Sequence, residues 1–313
     1  MAATVEHDTS GDGELAQRIE AILMPLGGRF ALEARRLPVS TPAPARSSRA
    51  LPMHSPAEQV ARRALGGGDS DEDGDSKAVS PHPSQPGAIA IRADEAFPAA
   101  SLAKLPIAVE LLRRVSLGHF ALAERLDTSE VPRAGGGGVI DYLNPATRLT
   151  LGELCFLMLG VSDNTAANAL LDLVGMGEVN HTLEQLRLHR TRLARRFMDF
   201  AARTAHRENV TSAADMVALL ALLSGNALPG GATLRELFAA QQRADDLRAW
   251  LPEGAALGLK TGELEGIFHA AGLLGGPAGR VAFCVLTADQ VDLPAARFAA
   301  GRVMRTLYDA WCA

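Results

Sequence analysis

The amino-acid sequence predicts an α+β fold, in which one antiparallel sheet is completed by both ends of the chain and a mostly helical stretch is inserted between them. Three observations carry this. Near the N-terminus, Arg29 to Leu37 alternates, with Phe30, Leu32 and Ala34 on one face and Glu33 and Arg35 on the other. Near the C-terminus, the apolar runs Ala256 to Thr261, Phe268 to Leu274 and Val281 to Thr287 are separated by GELEG and GGPAGR, and read as adjacent antiparallel strands. Between these regions the apolar spacing is helical.

Taken in order, residues 1–13 are polar and are expected to be a disordered N-terminus, leaving 14–313 as one domain. Leu15, Ile19, Ile22, Leu23 and Leu26 recur at helical spacing from Glu14, and Pro25 with Gly27 and Gly28 ends that run. After the first strand, residues 38–86 carry STPAPARSS, GGGDSDEDGDS and SPHPSQPG, tracts too polar to offset the entropy of ordering. They are expected to be a disordered insertion with at most one short helix near Ser55 to Leu65. Loop closure grows costly only slowly with length, so a hairpin can carry it and return as Ala88 to Arg92. A helix from Ser101 to Val115 follows, bent at Pro106, which lacks the N–H that would bond Leu102. Thr150 to Glu153, TLGE, has the form of a capping box before LCFLML. Ser162, Asp163 and Asn164 occupy the turn before a further helix, and an arginine-rich loop runs from Thr191 to Asn209. Thr211 or Ser212 caps the helix of Asp215 to Leu223, and Leu293 to Trp311 closes the chain as a helix.

Composition removes several function classes. At 313 residues and 47% hydrophobic, the chain can build a real core, and with only 4% aromatics that core is Leu, Ala and Val. A formal net charge of −5 and dispersed arginines give no field for nucleic acid or an anionic membrane. The three cysteines are odd in number, and Cys155 and Cys284 sit in apolar runs, which suits buried free thiols. The histidines show no metal-ligand spacing, so no metal or other cofactor is implied. With no secretory signal visible and no apolar run long enough for a bilayer, the chain as written reads as cytoplasmic, or as periplasmic or secreted if a leader is missing.

Chemistry is concentrated in FPAASLAKLPIAVELLRRV, Phe97 to Val115. Ser101 and Lys104 stand three apart in an otherwise apolar segment, on one helix face. A buried lysine is costly unless paired or neutralised, and desolvation lowers a lysine's pKa enough for it to act as a base, which arginine cannot do. The chain uses lysine only at Lys77, Lys104 and Lys260. The bland alternative is that Ser101 merely packs and Lys104 snorkels to solvent.

Three motifs stand in order: SLAK at 101–104, SDN at 162–164 and KTG at 260–262. With the longer stretches FPAASLAKLP, LTLGELCFLMLGVSDNTAAN and LKTGELEG, they resemble the class A β-lactamases and penicillin-binding proteins. The resemblance covers the strands and helices outside 38–86 and implies a β-lactamase/transpeptidase-like fold and a serine hydrolase that opens a β-lactam through a Ser101 acyl-enzyme. It implies that Lys104 is the base, Lys260 the second cation, and Ser162 the relay to the leaving nitrogen. Asn164 would hold the substrate's amide side chain, and Lys260 with Thr261 its carboxylate. Gly262 would leave room along the strand, and the backbone N–H groups of Ser101 and Glu263 would form the oxyanion hole. Asp163 is expected to tie the turn to backbone N–H groups. The partner implied is a small carboxylate-bearing amide or ester, with no nucleic acid and no membrane; oligomeric state is left open.

The chain departs from that family at the deacylation machinery. Efficient class A enzymes carry a glutamate in the loop after the SDN helices and an asparagine four residues later. Counting from Thr191-Arg192-Leu193, those positions are Phe197 and Ala201, neither of which can polarise water. Asp199 is a candidate displaced base, or it pairs with Arg195, Arg196 or Arg203; Glu208 is the other nearby carboxylate. His269, beside the place of an accessory arginine, either helps hold the substrate carboxylate or packs. Acylation is therefore expected to be intact, and deacylation impaired or differently built. The alternatives are a peptidase or esterase using the same site, and a covalent β-lactam sensor.

Overall fold

Burial of both faces of one sheet organises the molecule. The structure is a computed structural model and describes residues 11–38, 87–225, 227–242 and 244–313. Its central sheet has strands β1 (Arg29–Leu37), β2 (Ala88–Ile91), β7 (Ala256–Leu264), β8 (Ile267–Gly276) and β9 (Gly279–Ala288), in the order β2-β1-β9-β8-β7 and antiparallel throughout. The short strands β3 (Phe97–Pro98) with β6 (Val210–Thr211), and β4 (Arg125–Asp127) with β5 (Arg148–Thr150), form two-stranded pairs. The predicted hairpin is present, with Leu32 opposite Ile91 and Arg35 opposite Ala88. Except for Pro38, the expected insertion at 38–86 and its short helix lie outside the described residues.

The helices are α1 (Gly11–Leu23), α2 (Lys104–Ser116), α3 (Leu151–Gly160), α4 (Asn164–Val174), α5 (Met176–Gln185), α6 (Phe200–Thr204), α7 (Ala213–Ser224), α8 (Gly231–Ala239), α9 (Asp245–Arg248) and α10 (Leu293–Trp311). One face of the sheet packs on α1 and α10 through Phe30, Leu32, Val285, Phe283 and Leu307. The other packs on the helical region through Ala31, Ala271, Ala282 and Leu286. Consequently β1 is buried on both faces, not half-buried as its alternation predicts, because it lies between β2 and β9 with helices above and below. Its Glu33, carried inward with the rest of the strand, is paired with Arg35 at 2.7 Å.

Two boundaries differ from expectation for local reasons. Gly11 to Gly13 belong to α1 and not to a disordered N-terminus: Asp12 accepts from the Gly87 N–H at 2.8 Å and from Trp311 Nε1 at 3.2 Å, which anchors the first turn. Pro106 does not interrupt its helix. A tight 3₁₀ turn, Ala100–Ala103, precedes α2, so Pro106 falls in the first α-turn, where its missing N–H would have had no partner anyway. The capping box forms as the TLGE pattern predicts: Glu153 N–H donates to Thr150 Oγ1 at 3.1 Å, and Thr150 N–H donates to Glu153 Oε2 at 2.7 Å. Ser212, not Thr211, caps α7. Glu110, fully buried on α2, accepts from Arg113, Arg114 and Thr182, which ties α2 to α5.

Cys155, Cys284 and Cys312 are free and buried. Burial pushes the Cys155 thiol up to about 12, so it does not form the reactive thiolate.

Candidate active site

The 3₁₀ turn sets Ser101 and Lys104 one above the other, since residues three apart eclipse in that geometry. Ala100 immediately before the serine has φ 45, a left-handed conformation unusual for alanine. Lys104 begins α2 fully buried, and its Nζ lies 3.1 Å from Ser101 Oγ, 2.6 Å from the Ser162 carbonyl oxygen, 3.0 Å from Ser162 Oγ and 2.7 Å from Asn164 Oδ1. The two shortest contacts go to oxygens that can only accept. Two amine hydrogens satisfy them, and the remaining position on nitrogen faces the two hydroxyls.

Ser162 sits in the turn between α3 and α4 with φ 60. Lys260, fully buried on β7, donates to Ser162 Oγ at 3.0 Å and to the Thr261 carbonyl at 2.7 Å, so one serine hydroxyl lies between two lysine amines. Lys260 thus stands behind Ser162, and Thr261 is the member of the KTG triplet that lines the cleft with Ser101, Ser162, Asn164 and Glu263. Because β7 is an edge strand, its outer backbone groups face away from β8 and toward the cleft. A Cβ at Gly262 would come within 3.1 Å of both Ala100 Cβ and the Ser101 nitrogen, so glycine lets the strand approach Ser101 without displacing the turn. The Glu263 side chain turns out of the cleft to Arg297, at 2.6 Å.

Asp163 holds the turn in place. Its Oδ1 accepts from the Ala166 N–H at 2.9 Å, capping α4, while Oδ2 accepts from Val139 and Ile140 N–H groups at 2.7 and 2.9 Å. Gly138 passes so close that no side chain would fit there. Asp163→Ala is expected to destabilise the fold by about 3 kcal/mol, since three donors, two of them buried, lose their acceptor, while Asp163→Asn costs less; urea unfolding midpoints of the two variants check this.

The remaining wall of the cleft adds residues that no sequence motif singles out. Asn164 Nδ2 donates to the Gly135 carbonyl at 2.9 Å, which brings the glycine-rich loop against the SDN turn. Phe197 lies with its ring centroid 4.9 Å from Lys104 Nζ, and its backbone is held from both sides by Asn168, whose Oδ1 accepts from Phe197 N–H at 2.8 Å and whose Nδ2 donates to the Phe197 carbonyl at 3.1 Å. Asn168 stands four residues after Asn164 on the same face of α4, a spacing that is visible in the sequence. Arg195, Met198 and Asn209 also line the cleft.

Asp199, the candidate displaced base, does not line it. Its carboxylate caps α6 through the Ala202 N–H at 2.9 Å, instead of pairing with an arginine. Those arginines go elsewhere: Arg195 and Arg203 to Glu208 at 2.7 and 3.1 Å, and Arg196 to Asp172 at 3.0 Å. Ala201 is exposed.

Of the two roles open to His269, the structure selects packing. The residue lies opposite Gly262 in the sheet but points inward, fully buried, and is not available to hold a carboxylate. Nε2 lies 2.7 Å from the Pro98 carbonyl, and Nδ1 lies 2.9 Å from the Phe268 carbonyl and 3.2 Å from the Thr287 nitrogen. Burial pushes the imidazole from 6.5 down to about 4, so the folded protein keeps it neutral. The unfolded chain takes up that proton first as pH falls, so this group's stability is lost between about 6.5 and 4. Urea titrations of wild type and His269→Gln are expected to show the variant losing about 2 kcal/mol less between pH 7 and pH 5. Equal losses would mean the ring is not held neutral.

Comparison with known proteins gives one consistent result. A family model described as "Beta-lactamase enzyme family" matches residues 70–311. The beta-lactamase regulatory protein BlaB of Streptomyces cacaoi is 27% identical, over 71% of this chain and 88% of its own. The beta-lactamase FAR-1 of Nocardia farcinica is 34% identical over 56% of this chain, which spans 57% of that relative's length. Among solved structures, a beta-lactamase from Sphaerobacter thermophilus superposes with TM-score 0.73 at 25% identity, covering 97% of this chain and 98% of that one. The structure of PBP-A superposes with TM-score 0.73 at 22% identity, over 95% of each chain, and shares the fold.

Proposed function

From the premise that this chain belongs to the beta-lactamase enzyme family, we propose that it opens a β-lactam ring through an ester formed on Ser101. The observation that carries the reading is the four-residue cluster of Ser101, Lys104, Ser162 and Lys260, in which each hydroxyl lies 3.0–3.1 Å from an amine. Burial and the neighbouring Lys260 both favour the neutral form of the Lys104 amine, whose lone pair then faces Ser101. Ser101 Oγ attacks the ring carbonyl carbon as its proton passes to Lys104 Nζ. The ring C–N bond breaks, and the nitrogen takes a proton from Ser162, which is resupplied across Lys104. Backbone N–H groups of Ser101 and Glu263 stabilise the oxyanion, where one such donor is worth about 3 kcal/mol. Thr261, with Lys260 and Ser162 behind it, receives the substrate carboxylate, and Asn164 the amide side chain.

A second reading, a covalent sensor that stays acylated, is favoured by Phe197. Its ring lies over Lys104 where a water-activating carboxylate would be needed, and Asp199 is committed to a helix cap. That a relative is named a regulatory protein is consistent with it.

Intact mass spectrometry after mixing with benzylpenicillin is expected to show one covalent adduct per chain on Ser101. Slow loss of the adduct, with turnover of a chromogenic cephalosporin, supports the hydrolase; a persistent adduct supports the sensor. Faster turnover of simple esters or D-alanyl peptides would move the substrate class to esterase or peptidase, and absence of any adduct and of any turnover would end the acyl-enzyme reading.

A further inference from the structure

We propose that Met198 sets which β-lactams the cleft accepts, by closing it beside Asn164 against acylamino substituents that are bulky next to their amide; this rests on the Ser101 ester proposed above and names the substrate class of that same site. Met198 and Gly136 line the cleft from two different loops. A Cβ built at Gly136 would lie 2.5 Å from Met198 Sδ and closer still to its Cε, so the thioether end packs directly on the bare backbone of the glycine loop and takes the place of a side chain there. The same point lies 3.1 Å from Asn164 Nδ2. The tip of the methionine and the amide assigned to the substrate's acylamino group therefore stand side by side.

Backbone geometry fixes this arrangement. Met198 has φ 63, a left-handed conformation costly for a residue with a Cβ, and is held in it between two anchors: Asn168 bonds the Phe197 N–H and carbonyl at 2.8 and 3.1 Å, and the Met198 carbonyl accepts from the Phe200 N–H at 3.0 Å. The loop thus aims Phe197 at Lys104 and the next side chain at Gly136. Gly136 has φ 71, where a side chain would be strained even if the methionine moved, so the gap is filled from position 198 instead. Size decides the consequence. The cleft holds about 170 Å³, below the roughly 300–1,000 Å³ of sites that enclose drug-sized ligands. With a bicyclic β-lactam nucleus over Ser101, the acylamino arm runs past Asn164 toward Met198. A methylene next to the amide carbonyl lets that arm turn away from the thioether, whereas an aryl ring bonded directly to the carbonyl and substituted at both ortho positions cannot. Such a group has to push Met198 off Gly136, out of a place its backbone holds, and even an adaptable methionine yields there only at a cost. A mismatch of this kind in an apolar wall is worth about 10- to 200-fold in rate.

The test measures second-order acylation rate constants of the full chain by time-resolved intact mass, with benzylpenicillin and with methicillin, which share one nucleus and differ only in the acyl arm. Wild type is expected to react about tenfold or more faster with benzylpenicillin. In Met198→Ala the benzylpenicillin-to-methicillin ratio is expected to fall by about tenfold, and in Met198→Leu, which keeps the bulk, to stay within about threefold of wild type. Equal rates in wild type, an unchanged ratio in Met198→Ala, or the same fall in Met198→Leu as in the alanine variant would each overturn the proposal while leaving the Ser101 ester in place. No adduct from either penicillin with any of the three proteins would end both. The wild-type comparison needs no variant, so it holds however the variants fold.

Discussion

Replacing Phe197 by glutamate together with Ala201 by asparagine is expected to accelerate breakdown of the Ser101 acyl-enzyme by about 10²- to 10⁴-fold, the usual worth of a positioned general base. These are the positions at which the family resemblance places the water-activating pair. The backbone there is already fixed, because Asn168 bonds Phe197 on both its N–H and its carbonyl. The ring it replaces lies 4.9 Å from Lys104 Nζ, so a carboxylate at this point would face the same cluster. The measurement is decay of the penicillin adduct by intact mass after removing excess penicillin. If adduct lifetimes match in wild type and the double variant while both fold alike, the missing carboxylate is not what limits deacylation.

Changing Lys104 to arginine is expected to slow acylation by about 10²- to 10⁴-fold, although length and donor capacity are nearly kept. Arginine does not give up its proton, so it can fill the space and satisfy the Ser162 carbonyl and Asn164 Oδ1, yet cannot accept the hydroxyl proton from Ser101. Because a guanidinium is bulkier, Lys104→Met provides the complementary variant, without a buried charge. Both are expected to fail in single-turnover acylation with benzylpenicillin while retaining a cooperative thermal transition. Acylation at the wild-type rate in either would remove Lys104 from the role of base.

What was legible in the sequence was whatever depends on short spacing. The capping box at Thr150 and Glu153 and the strand–turn–strand runs of the last third read correctly, because their determinants lie within a few residues of one another. The three triplets also declared themselves as short patterns matched to a family. Misread points had long-range causes. Asp12 orders the start of α1 by reaching Gly87 and Trp311, and β1 is buried on both faces because strands and helices remote in sequence cover it. Pro106 read as a breaker because its effect depends on where the helix begins, and that is set by the preceding 3₁₀ turn.

By itself the sequence carried the resemblance to the family, the order of the main elements and the three short motifs that single out Ser101, Lys104, Ser162 and Lys260, since each motif is a matter of residue type at short spacing. Only the tertiary structure decided how they meet: Lys104 reaches Ser162 across 58 residues and Lys260 reaches it across 98. It also decided that His269 turns into the core, that Asp199 is used as a cap, and that a phenyl ring faces the Lys104 amine. Side-chain direction at such positions follows from which neighbour removes each polar atom from water at least cost, and those neighbours are supplied by the packed sheet and helices and not by adjacent residues.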